Sequence, residues 1–103
     1  MTFEIILAPQ AATSLRKLPA HDRAEVRGAI EVHLRHQPTK VSKSRIKRLR
    51  GLSQPQFRLR VGDIRVFYDA TETAVEILAI VAKSEAQAWL DEEGKATSGG
   101  GSG

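Results

Sequence analysis

The spacing of apolar residues changes several times along this chain, and each change marks an element. Phe3-Glu4-Ile5-Ile6-Leu7 is short, β-branched and apolar, which predicts a strand. Pro9 suits the first turn of a helix, where its missing N–H leaves nothing unpaired. Ala11, Ala12, Leu15 and Leu18 recur at helical spacing, and Pro19 stops the run. Val26, Ala29, Ile30, His33 and Leu34 follow an i, i+3, i+4, i+7, i+8 series and predict a second helix, with Asp22 as its N-cap and Glu25 three residues on. It ends at Gln37-Pro38, because the residue before a proline is pushed out of the helical region. The short link between the two helices predicts an antiparallel hairpin.

Residues 39–55 are polar and basic, with no sustained period. They read as a loop with one turn of helix near Ile46 to Leu49, punctuated by Gly51 and Pro55. The period then falls to two. Phe57, Leu59 and Val61 alternate with Gln56, Arg58 and Arg60, as in a half-buried strand. Gly62-Asp63 fits a two-residue type II′ turn, and Ile64 to Tyr68 is the returning strand. After a turn at Thr71-Glu72-Thr73, Val75 to Val81 is apolar except for Glu76, which predicts a central strand or one covered on both faces. Ser84 is placed to cap a last helix anchored by Ala86, Trp89 and Leu90. The expected fold is α+β in the order β-α-α-β-β-β-α, a helical hairpin packed on a mainly antiparallel four-stranded sheet. One domain is expected over 1–92, and 93–103 read as a flexible Gly/Ser-rich tail.

The chain has 103 residues, 41% apolar and 27% charged, as in a globular domain. It has no apolar run of membrane-spanning length, no visible signal peptide and no cysteine, so no membrane partner, disulfide or thiolate metal site is expected. Charge sharpens the picture. Between Lys40 and Arg65 lie nine basic residues and one acid, Asp63, a net +8 in a chain whose total is +4. One face built for a polyanion, or for an acidic partner, follows from that split.

The Gly62-Asp63 hairpin places these charges. If Val61 opposes Ile64, then Arg60 opposes Arg65 and Arg58 opposes Phe67. All four share one face, opposite Phe57, Leu59, Ile64 and Val66. Directly opposed arginines repel, so they need either a carboxylate, Asp63 being available by parity, or an anion such as phosphate. His33 lies on an apolar stripe and reads as structural, and His21 and His36 as exposed. None has a partner at ligand spacing, so no metal is expected. Tyr68 reads as packed, and Trp89 as the anchor of the last helix.

The segment Lys47-Arg48-Leu49-Arg50-Gly51-Leu52, then the run from Phe57 to Tyr68 containing R-L-R-V-G-D-I-R-V-F-Y, resembles the RelE/ParE toxins. So does Phe3 to Leu18, and the resemblance covers roughly residues 3–90. It implies the toxin half of a toxin–antitoxin pair, cytoplasmic and held inactive by a cognate acidic antitoxin. Such toxins cut mRNA on the ribosome without metal or cofactor, or poison DNA gyrase. In the RNA-cutting members, sheet lysines and arginines stabilise a phosphorane-like transition state. The resemblance assigns that role to Arg58, Arg60, Arg65 and Lys83, with Lys43, Arg45, Lys47, Arg48 and Arg50 binding flanking RNA. Where those members carry a C-terminal Tyr or His, this chain has Ala82 to Leu90 with neither. Ribosome-dependent mRNA cleavage is the first expectation. A non-enzymatic gyrase poison and a basic binding module without toxicity remain the alternatives.

Overall fold

The computed structural model describes residues 1–97. It shows an α+β fold with the expected elements in the expected order, plus short strands that the sequence reading does not contain. Strand β1 (Glu4–Leu7) is followed by helices α1 (Pro9–Lys17) and α2 (Ala20–Ala29), the latter running on into a π-helical turn at Ile30–Leu34. Strands β2 (Ile46–Arg48), β3 (Leu52–Gln54), β4 (Phe57–Val61), β5 (Ile64–Ala70) and β6 (Ala74–Ala82) come next. A 3-10 turn at Lys83–Glu85 leads into α3 (Ala86–Glu93), and β7 (Lys95–Ala96) follows.

The main sheet has five strands, not four, in the order β1-β6-β5-β4-β2. The added strand is β2, in the stretch read as loop and helical turn. Its one inward residue, Ile46, is buried opposite Leu59, and the lone apolar position gave no period to read. The apolar run of β6 is central, pairing parallel with β1 and antiparallel with β5. A second, two-stranded sheet pairs β3 with β7. Its Lys95 and Ala96 lie in the segment read as a flexible tail. Positions 98–103 of that tail lie outside the described residues.

The helical hairpin covers one face of the sheet. Ala11 and Leu15 of α1, with Val26, Ile30 and Leu34 of α2 and its π-helical turn, bury against Leu59, Val66, Tyr68, Val75 and Ile77. Each buried Leu, Ile or Val among them contributes about 1.5–3 kcal/mol. Helix α2 starts at Ala20, two residues before the expected cap. Pro19 takes the capping position with no side-chain bond, and Asp22 sits in the first turn. Ser84 likewise falls inside the 3-10 turn and does not cap α3. The π-helical turn is tied to the edge of the sheet, where Phe3 N–H donates to the Arg35 carbonyl at 2.7 Å.

The β4–β5 hairpin has the expected register, with Val61 opposite Ile64, Arg60 opposite Arg65 and Arg58 opposite Phe67. Gly62 has φ 57° and, among the described residues, no non-glycine residue has positive φ, so the turn has its left-handed residue at the first central position, as a type II′ turn requires. The far face of the sheet is partly covered as well. Phe67 is fully buried there beneath Trp89 of α3, their rings stacked at 5.1 Å and 7°.

Candidate nucleic-acid interface

The site is assembled from cross-strand rows on the face turned away from the helical hairpin. Lys47, Arg58, Phe67 and Ala79 form one row across β2, β4, β5 and β6. Arg60, Arg65 and Val81 form the next, and Arg60 N–H donates to the Arg45 carbonyl at 2.9 Å, which extends that row beyond β2. Strand alternation therefore gathers Lys47, Arg58, Arg60 and Arg65 on one side of the sheet. Lys47 and Arg60 are exposed, Arg58 is half-buried and Arg65 is buried at 7% exposure.

Asp63 does not neutralise these cations. The ion pair found among the described residues is Arg35–Glu31, on the helical side of the molecule. Arg65 instead donates through Nη1 to the carbonyls of Gly62 at 2.9 Å and Ile64 at 3.1 Å. Those bonds fix the guanidinium against its own turn and leave its charge unanswered. Burial lowers the pKa of Arg58, and the like charges of Arg65 and Arg60 lower it further. Such a cluster lacks an anion, and a phosphate or carboxylate would relieve both desolvation and repulsion.

The remaining basic residues divide. Lys83 is exposed beyond the end of β6, its backbone N–H bonded to the Asp63 carbonyl at 2.7 Å, beside the hairpin turn. Lys43 and Arg45 lie exposed on the loop leading into β2, and Ser42 Oγ accepts from the Arg45 N–H at 3.0 Å. Arg48 points to the other side of β2 from Lys47, its guanidinium 5.1 Å from the ring centre of Phe57. That contact makes it a cover for the core edge, worth roughly 0.5–1 kcal/mol at an exposed site. Arg50 shares with Lys47 a groove of about 490 Å³ between the β2–β3 corner and α3, also lined by Leu49, Leu52, Gln87 and Asp91.

The tyrosine and the histidines lie elsewhere. Tyr68 is fully buried on the core side, its hydroxyl donating to the Pro38 carbonyl at 2.6 Å, and burial raises its pKa. His33 is half-buried beside Lys40, Ser42 and Arg45, and its pKa is lowered by burial and then by Arg45. His21 departs from the expectation that no histidine has a partner at ligand spacing. At the start of α2, ligand atoms of His21, Asp22 and Glu25 lie within 4.8 Å of one another, on the largely exposed first turn. The sequence reading also missed the floor of the basic face. Parity already set Phe67 among the arginines, but nothing in the sequence showed that Trp89 stacks over that ring.

Comparison with solved structures places the fold. The RelE–RelB complex of the archaeon Pyrococcus horikoshii OT3 superposes with a TM-score of 0.66 at 23% identity, over 81% of this chain and 97% of that one. The chain has the RelE fold. The RelBE2 toxin–antitoxin complex of Mycobacterium tuberculosis gives 0.62 at 26% identity over 80% and 92%. A mutant of the Escherichia coli toxin RelE in the free state gives 0.65 at 21% over 89% and 94%. The resemblance read from the hairpin string thus holds in three dimensions, and the chain groups structurally with RelE toxins. No family model and no curated protein matches the sequence.

Proposed function

We propose that this chain is the toxin of a toxin–antitoxin pair and that it arrests translation by cutting mRNA on the ribosome. The observation that carries the reading is the set of four cations, Lys47, Arg58, Arg60 and Arg65, on one sheet face with no carboxylate paired to them among the described residues. A phosphodiester fits that set. When a ribose 2′-OH attacks the adjacent phosphate, charge grows on the non-bridging oxygens, and fixed guanidinium donors stabilise it. Arg65 is the most rigid of them, since its turn carbonyls hold it in place. Arg58 and Arg60 have no such turn carbonyls holding their guanidinium groups, and Lys47, Arg50 and Arg45 line the approach for flanking RNA. Lys83 supplies a further cation at the turn end of the face.

The partner in this reading is a cognate acidic antitoxin, and the ribosome and mRNA are the target, which places the protein in the cytoplasm. The structural neighbour from Pyrococcus is a RelE–RelB complex, and the one from Mycobacterium is a toxin–antitoxin complex. Strand β1 offers an open sheet edge with Ile6 and Leu7 partly exposed. Next to it lies a groove of about 350 Å³ lined by Ile5, Leu15, Ile30 and Glu31. An antitoxin segment with apolar anchors suits that edge, and its carboxylates suit the basic face.

One observation favours a second reading, a gyrase poison. The basic face presents no Tyr or His among the described residues, because Tyr68 is turned into the core. A cell-free translation reaction with primer extension separates the two. Wild type is expected to stop synthesis and leave discrete mRNA ends, and Arg60→Gln to lose most of that effect with its circular dichroism unchanged. Intact mRNA together with stalled gyrase cleavage complexes in a supercoiling assay would overturn the nuclease reading in favour of the poison.

A further inference from the structure

Two buried side-chain donors have no hydrogen-bond partner among the described residues, Arg58 Nε and Trp89 Nε1. Buried polar groups are nearly always paired, so two orphans together call for a common cause. They flank the same ring. Arg58 opposes Phe67 across the β4–β5 pair, and the Trp89 indole is stacked on Phe67. Both orphans are N–H donors, so what is missing is an acceptor. The surroundings specify its charge. Lys47, Arg60 and Arg65 share the face without a paired carboxylate, and repulsion from Arg65 and Arg60 already weighs on Arg58.

We infer that Trp89 is an RNA-contacting residue of the basic face, its indole N–H and Arg58 Nε together donating to one phosphodiester oxygen. The inference rests on the reading of that face as an RNA site, and it assigns α3 a role in binding. Helix α3 buries none of its residues fully, and it must shift outward for a phosphate to reach both donors. The groove between α3 and the β2–β3 corner gives the strand a way in. Lys47 and Arg50 attract the backbone there, Gln87 can donate to it, and Asp91 opposes it on one side. An indole N–H does not titrate in water, so Trp89 positions the phosphate and moves no proton.

The test uses the full chain and a short single-stranded RNA that resists cleavage through a 2′-O-methyl backbone. Trp89 is the one tryptophan, so ¹⁵N labelling gives a single indole N–H signal. That signal is expected to move downfield as RNA is added and to saturate with the affinity measured by fluorescence anisotropy. Trp89→Phe keeps a ring over Phe67 and removes the donor. It is expected to weaken binding about tenfold, the worth of a hydrogen bond to a charged acceptor. The slope of log affinity against log salt should stay the same, because a neutral donor releases no counterion. Arg58→Lys keeps the charge, removes Nε and should behave likewise. Arg60→Gln, by contrast, should lower both affinity and slope. An indole signal that stays put while RNA binds, with Trp89→Phe binding like wild type, overturns the role of Trp89 and leaves the basic-face reading standing. Wild type that fails to bind RNA, or Arg60→Gln without effect, overturns that reading itself. If Trp89→Phe unfolds, the indole signal of the wild type and the Arg58→Lys affinity decide.

Discussion

Arg60 and Tyr68 show how alternation along a strand separates function from stability. Arg60 is exposed and directly opposite Arg65, a like-charge pair that destabilises a sheet by roughly 0.2–1 kcal/mol. Replacing it with threonine, a good strand former, should therefore raise the urea midpoint by an amount worth about 0.5 kcal/mol while RNA affinity falls. A variant that is less stable than wild type would contradict the claim that the face is under charge stress. Tyr68 is the opposite case. Its hydroxyl is committed to the Pro38 carbonyl, and Tyr68→Phe should cost about 1–2 kcal/mol by leaving that buried oxygen unpaired, with no change in RNA affinity. Because burial raises its pKa, the phenol is neutral in both folded and unfolded chains below about pH 10, and its contribution is intact there. Above that pH the unfolded chain loses its proton first, and stability should fall by up to about 1.4 kcal/mol per pH unit. Tyr68 is the one tyrosine, so tyrosinate absorbance should rise only as the chain unfolds. Ionisation that precedes unfolding would contradict this.

At the scale of elements, the long periodic segments were legible and the short ones were not. The stripes Ala11–Leu15 and Val26–Ile30–Leu34 bury as their spacing requires, and the apolar run of β6 sits at the centre of the sheet for the same reason. The hairpin register followed from a glycine placed where only a left-handed residue fits. Strand β2 stayed hidden because three residues with one inward side chain carry no period, and β7 because its pairing with β3 joins segments about forty residues apart in the chain. The basic site was legible in its arginines, since parity alone brings Arg58, Arg60 and Arg65 together. It was not legible in Lys47 and Arg48, whose opposite directions depend on β2 being a strand. The turn itself makes a prediction. A Cβ at Gly62 would meet nothing closer than Glu25 Oε1 at 3.9 Å, so the cost of Gly62→Ala is purely its φ of 57°. That substitution should lower stability by about 1–2 kcal/mol, and Gly62→Asn should cost less, because asparagine tolerates the left-handed region. Equal losses in a urea titration would mean that the turn is not held by its backbone conformation.

For the whole molecule, the partition matters more than the total. A chain of net charge +4 carries its surplus on the face away from the helical hairpin, while the open edge at β1 is apolar. On the proposed reading, RNA is held by charge and the antitoxin by charge and burial. An acidic antitoxin that covers both regions should lose affinity with salt less steeply than RNA does, since apolar contacts are not screened. Calorimetry of the two complexes from low to high salt checks this, and equal slopes would show that the antitoxin uses the basic face alone. On the proposed reading, the unanswered cations of β2, β4 and β5 form a phosphodiester site, and the salt dependence of RNA binding tests this most directly. Wild type gripping three or four phosphates should show a slope of log affinity against log salt of about −2 to −3, and Lys47→Gln and Arg60→Gln should each make it shallower by about 0.7. A slope near zero, or one that neither substitution alters, would contradict the account.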